Sequence, residues 1–535
     1  MRTPRPYQAE TMSKSAALFD AGFRRQLMVM ATGLGKTFTC WSIAGARGPS
    51  LFVANTDELV AQAAEDAEEM FGFYPEIEKA DDWATIDGRV GLRNAHNRVM
   101  VSSVQTLTAR WKGGRKRMHR FDPAGFKTVV LDEADLSVSS TWLQVNEWFG
   151  RSDETLILGP TATPKRLDGR SLKLAFDKCC CQYYIPDAIE DGWLVPVREV
   201  PITLSNVDWS RVRVTSGGDF NQDELADVME QEEELWGVVQ PTIEEAVGME
   251  PGAIAAWLED HDITSLPDYV QMRLDGRELK RTIVFGVRVP HAERMATLFN
   301  RIIPHSAAAV SAKTPKEERR QVWKRFRTNE LSFVCNVGIA TRGFNEPKVE
   351  IIVIARPTKS VSLFTQMVGR GTRPWPGIVD LVAYDDPDAA FVRRQAIEGS
   401  LKPCVTVLNC TGGVEHKLMS VVDVFAGNMT PPEVIAAAKK AAAGRGAFDP
   451  QAALDTARAE AERRKAIVPK VDYRRGAAID PTKPGTIKGR KNRGPKERPT
   501  PKQLSYLGSL GYTGKAPVSK RQAAFFIAQM KSGQW

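Results

Sequence analysis

Leu27-Met-Val-Met-Ala-Thr-Gly-Leu-Gly-Lys-Thr37 joins an apolar, strand-like run to a stretch of helical periodicity through two glycines, a lysine and a hydroxyl. Backbone N–H groups approach a bound anion closely only where side chains are absent, which is what glycine provides. A lysine then reaches the outer phosphates, and a hydroxyl can hold a divalent cation. Gly33, Gly35, Lys36 and Thr37 supply this set, in the pattern G-x-x-x-x-G-K-[ST] with Met30 in place of the first glycine. Downstream, Val129-Val-Leu-Asp-Glu-Ala-Asp135 ends a second apolar run in paired acids. Asp132 is placed to hold Mg²⁺ through water, and Glu133 to orient and deprotonate an attacking water. A lone glycine turn or a lone acidic turn is commonplace; the loop followed by the acid-tipped strand, in that order, is not.

Working outward, the runs Leu27–Met30, Leu51–Ala54, Val99–Ser102, Thr128–Leu131 and Thr155–Leu158 alternate with helical stretches. Near-continuous apolar strands separated by helices indicate a parallel sheet covered on both faces. The pattern stops near residue 200 and resumes with Thr282–Phe285, Ser332–Cys335, Ile351–Ala355, Leu381–Tyr384 and Val405–Leu408. The fold class read from this is α/β: two tandem parallel-sheet domains, a helical connector and a small helical C-terminal segment. The expected layout is a first domain over 1–204, an acidic connector over 205–278, and a second domain over 279–430. Ala-rich helices over 431–468, a basic flexible linker over 469–499 and a helical hairpin over 500–535 complete it.

With 535 residues, 42% hydrophobic and 26% charged, the chain is too long for one core and ordinary for a globular protein. No apolar stretch is long enough to span a bilayer, and the N-terminus lacks the apolar core of a secretory signal, so a cytoplasmic protein of a prokaryotic or phage-infected cell is expected. The seven cysteines are scattered, and Cys179-Cys180-Cys181 lacks the spacing of a zinc site, so these read as buried or half-buried thiols in a strand. A net charge of +8 suits a polyanionic partner.

With the loop and the acids in place, the remaining motifs resemble those of superfamily 2 helicases, in that family's order over roughly residues 1–425. The resemblance implies two RecA-like domains, and ATP hydrolysis with Mg²⁺ coupled to movement on nucleic acid. Arg5-Pro-Tyr-Gln8 resembles the segment whose glutamine reads adenine, so Arg5 and Gln8 would join Thr32, Gly33, Leu34, Gly35, Lys36 and Thr37 in holding the nucleotide. Leu51–Thr56 and Ser103–Leu107 resemble the strand-end motifs that touch the nucleic-acid backbone, which gives Thr56, Gln105 and Thr106. Thr161-Ala-Thr163 resembles the motif that couples nucleotide state to domain movement. Asn336–Asn345 resembles motif V, with Thr341 on nucleic acid and Gly343 at the nucleotide. Gln366-Met-Val-Gly-Arg-Gly-Thr-Arg373 resembles motif VI, so Gln366, Arg370 and Arg373 would complete the catalytic set with Lys36, Asp132 and Glu133, the two arginines acting as fingers across the cleft.

Asp132-Glu-Ala-Asp135 spells the signature of a group of RNA helicases, but Thr161-Ala-Thr-Pro164 and Gln366-Met-Val-Gly-Arg370 look instead like the DNA translocases grouped with type III restriction motor subunits and RadD-type repair helicases. The expected track is therefore DNA, whether single-stranded, duplex or branched. RNA, or an ATP-switched motor subunit of a restriction or defence complex, are the alternatives, and a nuclease or a replication or repair protein is a candidate partner. The basic stretch Arg110–Arg120 could grip a phosphate backbone or be a solvated loop, and the arginines and lysines of 463–498 could be an electrostatic arm for DNA, a tether for the terminal hairpin or, in a eukaryote, a targeting signal.

Overall fold

The computed structural model describes residues 3–85, 98–137, 139–163, 172–204, 207–215, 218–338, 346–384, 386–410, 419–426, 430–442, 448–466, 498–512, 516–517 and 520–531. The chain divides into two compact units, Met1–Ile467 and Val468–Trp535.

The larger unit contains two fully parallel sheets. In the first, the strands are β1 (Arg25–Met30), β2 (Ser50–Ala54), β3 (Glu76–Glu78), β4 (Val99–Ser103), β5 (Thr128–Leu131), β6 (Leu156–Thr161) and β7 (Lys178–Tyr183), in the spatial order β3-β4-β2-β5-β6-β1-β7. Every apolar run read in the first block is a strand here, and β2, β4, β5 and β6 are buried along their whole length. Because all the strands run the same way, their carboxyl ends share one edge, where open α/β sheets bind ligands. That edge carries Ala31–Thr37 after β1, Asn55–Thr56 after β2, Val104–Thr108 after β4, Asp132–Glu133 after β5 and Thr161–Thr163 at β6.

The second sheet consists of β8 (Val197–Ile202), β9 (Thr282–Phe285), β10 (Ala307–Ser311), β11 (Phe333–Val337), β12 (Ile351–Ile354) and β13 (Val405–Cys410), ordered β10-β11-β9-β12-β13-β8. Two differences from the sequence reading stand out. β8 lies inside the 1–204 span, yet it pairs residue for residue with β13, Val197 opposite Val405 through Ile202 opposite Cys410. The chain therefore crosses between sheets before residue 197. Leu381–Tyr384 is not a strand: Val379–Leu381 is a single 3₁₀ turn and Leu381 is 87% exposed. Flanked by Pro374-Trp-Pro-Gly377 and Pro387, this short run has no partner strand among the described residues to bury its apolar side chains.

The acidic segment after 204 is a layer on the second sheet rather than a bridge between domains. Leu235, Val238, Val239 and Ile243 of the helix Glu232–Val247 pack in one core with Met295 and Phe299 of Val289–Ile302 and with Ile351, Val353 and Leu408 of the sheet. Its acids fasten it there. Arg288 donates to both oxygens of Glu230, at 2.6 and 2.9 Å, and Lys280 to Glu245 at 3.2 Å. Glu244 caps the next helix by accepting from Gly252 N and Ile254 N at 2.9 and 2.8 Å.

The Ala-rich stretch forms the helices Pro432–Ala442 and Pro450–Ala466, whose Val434, Ala438, Leu454 and Ala457 are buried. The basic linker expected over 469–499 falls almost wholly outside the described residues. In the smaller unit, the helices Pro501–Ser509 and Lys520–Lys531 pack together, with Thr500 capping the first through Gln503 N. Among the described residues, no helix is long and apolar enough to cross a membrane.

Candidate nucleotide and nucleic-acid site

β1 ends in the loop Ala31–Gly35, and the helix Lys36–Arg47 begins at once, with Gly35 as its N-cap in a left-handed conformation. Gly33 (φ 91°) and Gly35 (φ 78°) both occupy backbone space that side chains avoid. Each is also approached closely: a Cβ at Gly33 would lie 3.0 Å from Arg373 Cγ, and one at Gly35 would lie 2.7 Å from Gln8 Nε2. The glycines thus serve twice, shaping a helix N-terminus suited to an anion and admitting Gln8 on one side and Arg373 on the other.

Gln8 and Tyr7 hold the loop from behind. Gln8 Nε2 and the Tyr7 hydroxyl both donate to the Leu34 carbonyl at 2.9 Å, and Gln8 Oε1 accepts from Arg5 N at 2.9 Å. Lys36 donates to the Met30 carbonyl at 3.2 Å and turns back over the strand end. Burial lowers its pKa, and the carboxylates of Glu133 and Asp132 oppose that shift. Asp132 Oδ1 accepts from Glu133 N at 3.0 Å, and Glu133 adopts a left-handed φ of 53°. A non-glycine residue held there costs about 1–3 kcal/mol, a strain that is found at functional turns.

The second sheet contributes the opposite wall. The helix Val361–Gly369 ends where Gly369 meets the loop: a Cβ there would come within 2.6 Å of Thr32 Cβ. Gln366, Arg370 and Arg373 line a cleft of about 720 Å³ together with Thr32, Gly33, Gly35, Lys36, Thr37, Asp132 and Glu133. Burial pushes Arg370 down to about 10, against the pull of Glu133, and Arg373 down to about 9, reinforced by Arg370. Arg370 and Arg373 thus stand with Lys36 in a cleft that also carries Asp132 and Glu133, a mixed charge set that can take a polyphosphate together with a divalent cation.

Further residues here have no sequence signal. Lys402 is almost wholly buried, and its ammonium donates to the carbonyls of Pro347 and Arg373, both at 2.7 Å. Burial lowers it to about 7. It pins the backbone that carries Arg373. Asp380 accepts from Arg5 Nη2 at 2.8 Å, and Trp193 lies between the halves, with Tyr7 at 5.6 Å, Tyr384 at 5.9 Å and the guanidinium of Arg393 at 3.8 Å. The segment Arg5–Gln8 is therefore tied to both halves.

The candidate track residues are less uniform. Gln105 is exposed and bonds the Asn55 carbonyl at 2.9 Å, next to Thr56, whose hydroxyl caps the helix Asp57–Phe71. Thr106 turns inward instead: it is 9% exposed, with its hydroxyl bonded by Ser103 Oγ at 2.8 Å. Thr161 and Thr163 are buried and close a tight turn, Thr161 Oγ1 donating to the Thr163 carbonyl at 3.0 Å. Thr341 and Gly343 lie outside the described residues. The cysteine triplet lies in β7 with its thiols raised by burial, Cys180 most of all, which leaves them protonated and unreactive.

Two family models match the chain: "Type III restriction enzyme, res subunit" over residues 2–166 and "Helicase conserved C-terminal domain" over residues 264–374. Among individual proteins, one carried under the name ATP-dependent helicase IRC3 in Saccharomyces cerevisiae is 27% identical over 69% of this chain and 49% of its own length. A mitochondrial ATP-dependent helicase irc3, by name, from Schizosaccharomyces pombe is 28% identical over 72% of this chain and 57% of its own. The type I restriction enzyme EcoAI endonuclease subunit of Escherichia coli is 24% identical over 70% of this chain and 44% of its own. The chain thus spans about half the length of the curated relatives it matches.

Proposed function

Because the chain belongs to helicase superfamily 2, we propose that it is an ATP-driven DNA translocase or helicase that hydrolyses ATP in the cleft between its two sheets. One observation carries this reading. Arg373, from the second half, lies against Gly33 of the phosphate loop, in a cleft that also holds Lys36, Asp132, Glu133 and Arg370.

In this reading the helix N-terminus at Lys36 and the glycine loop bind the β- and γ-phosphates, and Gln8 and Arg5 lie on the adenine side. Thr37 and Asp132 offer one hydroxyl and one carboxylate. That sparse, all-oxygen set suits Mg²⁺, which keeps several waters and takes phosphate oxygens as further ligands. When bound, the ion would neutralise charge on the phosphates. Glu133 orients the attacking water and accepts its proton. Arg370 and Arg373 stabilise charge developing on the transferred phosphoryl group, and only while the second half is seated on the first. Hydrolysis and domain closure are thereby one event, and repeated closure moves the track past Thr56 and Gln105.

The test is steady-state ATP hydrolysis with single-stranded, duplex and forked DNA and with RNA. Stimulation by DNA above RNA is the expected result; hydrolysis that no DNA raises would overturn the motor reading. The res-subunit match and the E. coli restriction relative favour a second reading, a motor subunit of a restriction complex. Co-purification with a nuclease or methyltransferase would select it.

A further inference from the structure

The fold splits the basic stretch Arg110–Arg120 into two groups with different tasks. Arg117 and Arg120 turn inward, and both bind the carboxylate of Glu78, whose side chain is 0% exposed. Arg117 also donates to the carbonyls of Ala80 and Asp82 at 2.5 and 2.6 Å. A buried carboxylate shared by two guanidiniums clamps the loop after β3 to the loop after the helix Val104–Thr108.

The clamp holds aromatic surface outward. The Trp83 ring lies over Arg117, whose guanidinium carbon is 3.5 Å from its centroid, and over Arg120 at 4.6 Å, while Trp111 is 6.3 Å away and tilted by 49°. Trp83 nevertheless remains 49% exposed. An indole held on a rigid mount and half open to solvent has the character of a recognition surface. The mount adjoins the candidate track: Ala80 N donates at 3.4 Å to Thr106 Oγ1, beside exposed Gln105, and Trp111 follows the same short helix. Beyond Trp111, a turn with Gly113 and Gly114 at φ 70° and 75° leads to exposed Arg115, and Arg110 pairs across it with Lys116. The acids Asp81 and Asp82 lie exposed beside Trp83.

We propose that Trp83 and Trp111 form a stacking ledge for an unpaired base of a single DNA strand whose phosphates run past Thr56 and Gln105. This rests on the proposed nucleic-acid function. Every base has a π-face, so stacking grips a strand without reading its sequence, as a motor requires. The charges set the orientation: Arg110 and Arg115 attract the backbone on the Trp111 side, and Asp81 and Asp82 repel it from the far side of Trp83.

The experiment measures binding of the full chain to an oligothymidylate and to the same strand with abasic sites. Wild type should prefer the intact strand. Trp83→Ala should weaken intact-strand binding about ten-fold and leave abasic binding within about two-fold, and Trp83→Tyr should restore most of the loss. Trp111→Ala, which leaves the Glu78 clamp in place, should lose the same preference even if Trp83→Ala fails to fold. ATP hydrolysis without DNA should be unchanged in both. Folded alanine variants that keep the wild-type preference would overturn the ledge, as would a wild type that binds both strands equally. A wild type that binds neither strand would overturn the nucleic-acid reading itself.

Discussion

The two sheets share an architecture and divide the chemistry unequally. The carboxyl edge of the first carries the phosphate loop, the paired acids and the strand-end turns, so in the proposed reading it binds the nucleotide and orients the attacking water. Among the described residues, the second offers the cleft Gln366, Arg370 and Arg373, at and just beyond one helix end, braced from behind by Lys402. In that reading one half binds and the other completes. Arginines supplied by the second sheet would make hydrolysis conditional on how the two halves sit, which an all-in-one site could not do.

The asymmetry can be broken most severely from the first half. Lys36→Ala should cut ATP turnover at least about 1000-fold, with weakened nucleotide binding, whereas Glu133→Gln should match that loss of turnover with binding intact. Rapid-quench hydrolysis alongside fluorescent-nucleotide titration separates the two. Gly33→Ala sharpens the contact between the halves. Its backbone is left-handed and its Cβ would press Arg373 at 3.0 Å, so turnover should drop about 10- to 100-fold.

Lys402→Met tests bracing rather than contact. It removes a costly buried charge but leaves the carbonyls of Pro347 and Arg373 without their donor. The maximal rate should fall about ten-fold with the KM for ATP little changed. The smallest effect on turnover is expected from a change that acts on stability, in the second half alone. His291 is buried, accepts from Val287 N at 3.1 Å and is held down to about 4 by burial. The folded form stays neutral while the unfolded chain takes up a proton below its ordinary value near 6.5, so stability is lost as pH falls from about 6.5 to 4, by up to about 3 kcal/mol. Thermal unfolding of His291→Gln should show a flatter slope over that window than wild type.

The first half was legible because its strands are apolar runs with their chemistry at the ends: the phosphate loop and Asp132-Glu133 each continue directly from a buried strand. The second half was harder to read. β10 is Ala-Ala-Ala-Val-Ser, whose small residues carry no strand signal, and Leu381–Tyr384 carries the signal without a partner strand. The acidic segment after 204 suggested a helical connector or small insertion because acids usually face water. Here Glu230 and Glu245 find Arg288 and Lys280 on the second half, which are distant in sequence. The same distance hid Lys402 and Asp380, whose roles exist only once the fold brings them to Arg373 and Arg5. In the basic stretch, the pattern could not tell the inward Arg117 and Arg120 from the outward Arg115, since that choice is made by a buried Glu78 on another strand.

The division of labour is tested most directly by Arg370→Ala, assayed for ATP affinity and for DNA-stimulated turnover in the same preparation. Turnover should fall about 1000-fold with the Kd for ATP held within a few-fold. Near-normal turnover, or a loss of affinity as large as the loss of turnover, would contradict a site bound by one half and completed by the other.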